Sequence, residues 1–374
     1  MKQKLAYLCG SMSWGGLEMN HLKCALWMQE RQHSVVILCR KGSPLYTTAK
    51  KAGIEVLPIK KHKKYYDIPA AIRLKRIIRQ EGITHVLLRD TRDISLSVLA
   101  KRLSFRPFHL SYFMAMQLGV SKRDLLHTIR YKGLDLWSCP LEGLANQVKV
   151  WTRMPHDRIQ VIPDGIVLSD YIEKDPINCR KQLDLPTEGT ILGLIGRFDQ
   201  GKGQDLLLKA FNMLQSTPNL YVCLLGEPTK GDGESEGKTY YEELLEFIRK
   251  NHLENRIFIR PFRQDVEVFY HAIDALVMAS KAETFGMVTI EAMASGKPVI
   301  ASNAGGSPEL LEYGKSGYLF ESMNAESLAA TISQWLENKN RIPKDVIRNA
   351  VQKFDHQLSC SIVEQALSLE NNNN

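Results

Sequence analysis

The sequence predicts an α/β protein of two doubly wound halves, each a parallel sheet with helices on both faces. Three observations point there. Short apolar runs alternate with amphipathic helical stretches across short connections. The alternation weakens after residue 114 and restarts at residue 190. Finally, 374 residues suffice for two full cores at roughly 150 residues per domain.

Taken in order, residues 4–9 read as a strand, 17–31 as a helix and 34–39 as a strand. A helix over 43–52 and a strand over 55–58 follow. Residues 70–80 form a helical pattern, with apolar side chains at 72, 74, 77 and 78. A strand over 85–88, a helix over 94–102 and a strand over 108–114 complete the first run. The second run has strands at 190–195, 221–225, 256–259, 275–278 and 299–301. Its helices are 204–215, 240–251, 266–272, 287–294, 325–337 and 344–353. The join falls within 163–186, where Pro163, Gly165, Pro176 and Pro186 interrupt any periodicity. Two such halves form a cleft, and ligands of these sheets sit at strand carboxyl ends.

Composition narrows the class. Apolar types make up 44% and charged types 24%, a soluble globular mix that excludes disordered, collagen-like and coiled-coil chains. The net charge of +8 is unevenly placed. Residues 1–165 hold 28 Lys and Arg against 12 Asp and Glu; residues 166–374 hold 21 against 29. The first half is therefore +16 and the second −8. A basic first half points to an anionic partner: nucleic acid, an anionic membrane or an acidic substrate. The apolar run 5–9 is too short for a signal peptide, and no run of about 18 apolar residues spans a membrane. Seven scattered cysteines without a CxxC pair read as reduced thiols of a cytoplasmic protein.

Three stretches carry chemistry. Gly10 to Glu18 joins the first strand to the first helix. The adjacent Gly15 and Gly16 let backbone N–H groups approach a phosphate at a helix start; a plain turn with Glu18 against the helix dipole has the same sequence. Gly196 to Gly203 nearly matches the pattern G-x-x-x-x-G-K-[ST], but it ends in glycine. The hydroxyl that would hold Mg²⁺ is missing, so the NTPase reading fails. What remains is Arg197 and Lys202, two cations at a strand end that can neutralise a diphosphate. In the third stretch, Glu283 precedes a helix and Glu291 lies about two turns along it. The backbone of Phe285, Gly286, Met287 and Val288 marks that helix start, another anion site. Carboxylates beside an anion site suit a ligand with both hydroxyls and phosphate. A buried structural carboxylate or a helix-surface charge is the plainer reading of Glu291.

At these stretches the chain resembles the retaining family-4 glycosyltransferases of the GT-B fold, two Rossmann-like domains facing each other across a cleft. The resemblance covers most of the chain and is strongest over 190–320. Residues 292–299 and the loop Gly305-Gly306-Ser307-Pro308-Glu309 add to it. It implies an acceptor-side domain over 1–165 and a donor domain over 166–354, with a C-terminal helix over 355–370 packing back on the first. Arg197 and Lys202 would hold the nucleotide diphosphate as leaving group. Glu283 would take donor-sugar hydroxyls and Glu291 the ribose hydroxyls. Phe285 to Val288 would present N–H groups to sugar and phosphate; Gly15 and Gly16 would belong to the donor site, Gly16 at the distal phosphate. Arg260, Pro261 and Phe262 would flank the base.

Two departures stand out. Many members have a His at the end of the strand that here is 108–114; this chain has none, and His109 and His127 read as structural or surface groups. Pro163-Asp164-Gly165 replaces the usual Pro-Asn-Gly; both residues suit turns, so little change is expected. No Asp-x-Asp metal motif occurs, which fits cationic rather than Mg²⁺ stabilisation, with no metal and no cofactor beyond the co-substrate.

In the basic half, Lys60, Lys61, Lys63 and Lys64 with Tyr65 and Tyr66 resemble an interfacial anchor for anionic lipid; a solvated loop is the bland reading. Arg89, Asp90, Arg92 and Asp93 follow the next strand and are candidates to line an acceptor pocket. No motif supports nucleic acid. The expected activity is transfer of a hexosyl unit from a UDP- or GDP-sugar to a glycan or lipid-linked acceptor in polysaccharide or lipopolysaccharide assembly, peripheral on the inner face of the membrane. A nucleotide-sugar epimerase and a non-catalytic sugar-nucleotide-binding protein are the alternatives.

Overall fold

The computed structural model describes residues 3–106, 108–228, 234–281, 283–339 and 341–369. The chain divides into two compact units, Met1–Gly165 with His356–Asn374, and Ile166–Asp355.

The first unit runs β1 (Lys4–Cys9), α1 (Gly16–Glu30), β2 (Ser34–Arg40), α2 (Pro44–Lys51), β3 (Glu55–Ile59), α3 (Ile68–Gln80), β4 (His85–Leu88) and α4 (Thr91–Arg102). It continues through β5 (His109–Phe113), α5 (Leu125–Tyr131), β6 (Leu136–Cys139), α6 (Glu142–Trp151) and β7 (Ile159–Val161). The seven strands order as β3-β2-β1-β4-β5-β6-β7, and every pairing is parallel. Leu5, Ala6, Leu8 and Cys9 of β1 are fully buried, as a central strand covered on both faces requires.

The second unit runs α7 (Pro176–Gln182), β8 (Thr190–Ile195), α8 (Gln204–Met213), β9 (Leu220–Leu225), α9 (Glu234–Lys250), β10 (Ile257–Arg260) and α10 (Val266–Ala272). Then come β11 (Ala275–Met278), α11 (Met287–Ala294), β12 (Val299–Ser302), α12 (Ser307–Leu310), β13 (Tyr318–Phe320), α13 (Ala325–Glu337) and α14 (Lys344–Ala350). The sheet order is β10-β9-β8-β11-β12-β13, again all parallel. In both sheets the chain starts centrally, winds outward, then crosses to the other side. The switch points lie between β1 and β4 and between β8 and β11, the places where doubly wound sheets bind ligands.

The last helix, α15 (His356–Ala366), belongs to the first unit. Glu364 fastens it to the loop after α1: Arg31 Nη2 and His33 Nε2 lie 2.6 and 2.7 Å from its carboxylate oxygens. The Arg31 hydrogen bond, reinforced by His33, holds the Glu364 carboxyl below its usual pKa.

Local chemistry explains where the elements start. Helix α3 begins at Ile68 rather than 70, because Asp67 caps it by accepting from the Ala70 N–H at 3.0 Å. Helix α4 begins at Thr91 rather than 94, with Asp90 as its cap. Short elements escaped the sequence: β6, β7 and β13 have four, three and three residues, and α5 and α7 have seven each. Segments that short carry little periodicity, and equally short β4 and β11 stood out only as apolar runs.

Candidate functional site

The loop after β8 carries the two cations. Asp199 accepts from the Gly201 N–H at 2.8 Å and fixes the turn before Lys202. Gly203 sits at φ +75, and a Cβ there would lie 2.2 Å from the Ala279 carbonyl oxygen. That approach joins the β8 loop to the end of β11 and excludes any hydroxyl-bearing side chain at 203. Gln204, fully buried, donates to the Arg197 carbonyl at 2.8 Å and pins the backbone of that loop. The Arg197 side chain is exposed and has no carboxylate partner among the described residues.

Lys202 Nζ lies 3.0 Å from Glu283 Oε2, both partly buried. The pair bridges the β8 and β11 loops across the switch point. The Glu283 carbonyl accepts from the Gly306 N–H at 2.8 Å, so the Gly305–Glu309 loop is drawn to the same place. Gly286 caps α11 at φ +88, where a Cβ would sit 3.3 Å from both Glu283 and Leu310. The N–H groups of Met287 and Val288 open the helix and have no intramolecular acceptor among the described residues. Phe285 is buried edge-on against Phe354, ring centroids 5.3 Å apart. Its ring anchors the turn.

Glu291 is buried, and Oε2 accepts from Tyr270 Oη at 2.6 Å. Burial first, then this carboxylate, pushes both the Tyr270 and the Tyr171 phenols above their ordinary pKa. Glu291 is thus a buried carboxylate that accepts from Tyr270. Arg260 ends β10, but its guanidinium donates to the carbonyls of Leu183 and Asp184 and lies 5.5 Å from the Phe258 ring. It ties the strand end to the segment after α7. Pro261 and Phe262 are exposed beyond it.

Gly15 and Gly16 lie in the first unit, at the start of α1. Gly15 N–H donates to Glu18 Oε2 at 2.9 Å, so Glu18 caps its own helix. A Cβ at Gly16 would meet nothing within 4 Å; packing does not demand glycine there, and the open space is what its absence of side chain leaves.

Three of the four residues after β4 are structural. Asp90 caps α4. Asp93, wholly buried, accepts from Gly10 N–H at 2.9 Å and stands 2.8 Å from His62 Nε2. One carboxylate therefore ties the loops after β1 and β3 together. Burial lowers the His62 pKa, but the Asp93 hydrogen bond and charge outweigh it and raise the pKa. Arg89 is buried and donates to Asp164 Oδ1 at 2.6 Å. Asp164 is therefore more than a turn former: it neutralises a buried guanidinium, which asparagine could not do. Arg92, at the surface, pairs with Asp90 at 2.6 Å. Lys60, Lys61, Lys63 and Lys64 are all exposed. His109 and His127 bond Ser111 and Asp124 at 3.1 and 2.6 Å, local partners for both.

Sequence reasoning missed Gln204, the His62–Asp93–Gly10 tie and the Arg89–Asp164 pair. Each joins residues 7 to 83 positions apart, which no local pattern encodes. Among the described residues, no three His, Cys, Asp or Glu side chains gather to hold a metal, and no helix is long and apolar enough to cross a membrane.

Two doubly wound, all-parallel Rossmann-like sheets are the architecture of the GT-B class. Residues 14–170 match the family model of Glycosyltransferase Family 4, and residues 177–353 that of Glycosyl transferases group 1. The chain belongs to this family of group 1, family 4 glycosyltransferases. It is 29% identical over 220 residues to a lipopolysaccharide 1,2-N-acetylglucosaminetransferase of Salmonella typhimurium, covering 55% of this chain and 58% of that one. It is 25% identical over 265 residues to a lipopolysaccharide core biosynthesis glycosyltransferase of Rhizobium meliloti, covering 70% and 71%. The chain spans 58%, 36% and 52% of the first three curated relatives it matches. Among solved structures, Anabaena HepE in complex with UDP superposes at a TM-score of 0.84, with 22% identity over 98% of this chain and 99% of that one. At that identity the likeness is one of fold.

Proposed function

We propose that the protein transfers a hexosyl unit, with retention, from a nucleotide-diphosphate sugar to a hydroxyl of a glycan or lipid-linked acceptor, without a metal, in polysaccharide or lipopolysaccharide assembly. The Lys202–Glu283 pair beside the start of α11 carries this reading. Lys202 and Arg197 neutralise the departing diphosphate, together with the N–H groups of Met287 and Val288. Glu283 exchanges Lys202 for donor-sugar hydroxyls when the phosphate draws the lysine away. Glu291 takes the ribose hydroxyls. The open space at Gly16 admits the distal phosphate. The curated lipopolysaccharide transferases among its relatives support the acceptor class, and UDP and UDP-glucose in HepE support the donor class.

A thermal-shift screen with UDP-, GDP- and ADP-sugars tests the donor assignment. A donor at a hundredfold its Kd stabilises the folded state by about 2.7 kcal/mol, a rise of several degrees. No shift with any of the three sinks the assignment.

The same proposal places the protein peripherally on the inner face of the membrane, through the exposed Lys60, Lys61, Lys63 and Lys64. Each lysine near an anionic surface contributes roughly 1 kcal/mol. Replacing all four with glutamine is expected to lower affinity for phosphatidylserine vesicles at least tenfold, read by co-sedimentation at low salt. Unchanged binding returns them to a solvated loop.

A further inference from the structure

Each sheet bridges its switch point with a cation and a carboxylate. In the second unit the bridge is Lys202–Glu283, whose side chains are 32% and 20% exposed, open enough for a ligand to replace either partner. In the first unit it is His62–Asp93, at 6% and 1%. Both Asp93 oxygens are taken: Oδ1 stands 2.8 Å from His62 Nε2, and Oδ2 accepts from Gly10 N–H at 2.9 Å. Shielded and fully engaged, neither group is free to act as a base on a substrate. Gly10 is fitted to the bridge, since a Cβ there would lie 2.7 Å from Asp93 Oδ1 and 2.8 Å from His62 Nε2.

The partners of the ring fix its proton count. Nε2 faces a carboxylate, and Nδ1 lies 3.1 Å from the Lys63 carbonyl oxygen. Both partners only accept, so both ring nitrogens donate, which is the imidazolium form. A neutral ring would leave a lone pair against one of the two oxygens. The surroundings suit a cation. Asp67, before α3, adds its negative charge, and its carboxylate accepts from Lys63 N–H at 3.0 Å. Asp90 adds another beside Asp93, and the nearby Arg92 is paired with Asp90. Burial pushes the Cys9 thiol up, so it stays neutral next to Asp93. The pair thus holds one proton between Nε2 and Oδ1 and releases it only above the ordinary histidine range: burial weakens the hold of the ring on it, and Asp93 more than restores it.

Three loops meet in this one chain of hydrogen bonds: the glycine loop after β1, the lysine loop after β3 and the start of α4 after β4. The glycine loop is held at its far end by Gly15 N–H on Glu18, and Ser13 N–H donates to Ser11 Oγ in between, at 3.0 Å. We propose that His62, as an imidazolium, is a positioning residue: it clamps the lysine loop to Asp93 and, through Asp93, sets the glycine loop for the distal phosphate of the donor. The last step rests on the donor role proposed for Gly16. Stability alone does not ask for such a pair, because apolar side chains of similar volume would join the loops without desolvating two charges. Hydrogen bonds are directional, so this chain fixes where the Gly10 amide sits as well as joining the loops. The clamp is complete below about pH 6.5, the ordinary histidine value, and is lost as the pH rises through the higher value of the folded pair.

Hydrogen exchange of the full chain, read by mass spectrometry over residues 10–18 and 60–66, tests the clamp without any ligand. The parent and His62→Gln are compared at about pH 6 and about pH 9, on either side of the titration; comparison at one pH cancels the chemical pH dependence of exchange. At the lower pH the variant is expected to exchange roughly tenfold faster in both segments, the value of one charge-assisted hydrogen bond. At the higher pH the two proteins exchange alike, because glutamine and a neutral ring each keep one donor for Asp93. The donor KM follows the same course, its ratio of variant to parent falling from roughly tenfold to near one. Should His62→Gln fail to fold, Asp93→Asn replaces it: its amide keeps both contacts with a neutral ring, and the pH dependence is again expected to vanish. Equal exchange of parent and variant at both pH values overturns the clamp. Faster exchange of the variant by the same factor at both makes His62 a packing residue and overturns it too. A clamp seen in exchange with equal donor KM at the lower pH overturns the positioning role. A parent that no nucleotide sugar stabilises strikes the donor assignment instead, and exchange still decides the clamp.

Discussion

Lys202→Ala is expected to lower kcat for sugar transfer by roughly 10²- to 10³-fold, the loss typical of one preorganised charge-stabilising group. The reason is where the lysine sits. Its Nζ reaches across the switch point to Glu283 at 3.0 Å, and its backbone is fixed by the Asp199 turn on one side and by Gly203 on the other. The backbone that carries the cation is therefore fixed before a donor arrives. Charge builds on the leaving diphosphate as the glycosidic bond breaks, so the interaction grows in the transition state. The loss should then appear in kcat and kcat/KM alike rather than in KM. Glu283→Gln keeps the hydrogen-bonding shape without the charge and is expected to lose less than Glu283→Ala. The two sites share one ion pair, so their effects should not add. Steady-state transfer, using the donor that gives the largest thermal shift, decides this. Undiminished transfer by Lys202→Ala would remove the lysine from the chemistry.

The loops after β8 and β11 were legible in the sequence because they are local. Gly196 to Gly203 and Glu283 to Glu291 each lie in one strand-loop-helix unit, where residue type and spacing state the geometry. The same holds for the long elements: β1, β8 and α13 were read to the residue. What the sequence hid was partnership at a distance. Nothing in the neighbourhood of Glu291 announces Tyr270 on α10. Nor does anything near Arg260, which the resemblance set beside the base, announce that its guanidinium donates to backbone carbonyls 76 and 77 positions earlier. Arg89 and Asp93 followed a strand end and so looked available; burial shows that their charges are used within the fold. A charged residue at a strand end is a candidate only while its counter-ion is unknown.

Asp164→Ala should be the most damaging single change to the stability of the first unit outside its apolar core, at about 3–5 kcal/mol. Arg89 is 5% exposed, and Asp164 Oδ1 accepts from its Nη2 at 2.6 Å; the Cys24 thiol, at 3.3 Å, is its other polar contact. Burial alone would lower the Arg89 pKa, but the Asp164 charge and the Cys24 thiol outweigh it and raise the pKa. The guanidinium cannot shed its proton, so removing Asp164 leaves an uncompensated buried charge. At ~2–4 °C per kcal/mol for a unit of this size, the melting temperature should fall by roughly 10 °C. Asp164→Asn keeps an oxygen acceptor for Nη2 and loses only the charge, so its cost should be smaller, about 1.5–3 kcal/mol. Replacing both partners at once, as Arg89→Met with Asp164→Leu, removes the unpaired charge and should recover much of the loss. Differential scanning calorimetry of the parent, Arg89→Met, Asp164→Leu and the double variant closes a double-mutant cycle. If Asp164→Ala melts within 2 °C of the parent, or the double variant is no better than the single, the pair does not hold this turn. Asp164 would then be the plain turn former that its sequence suggests.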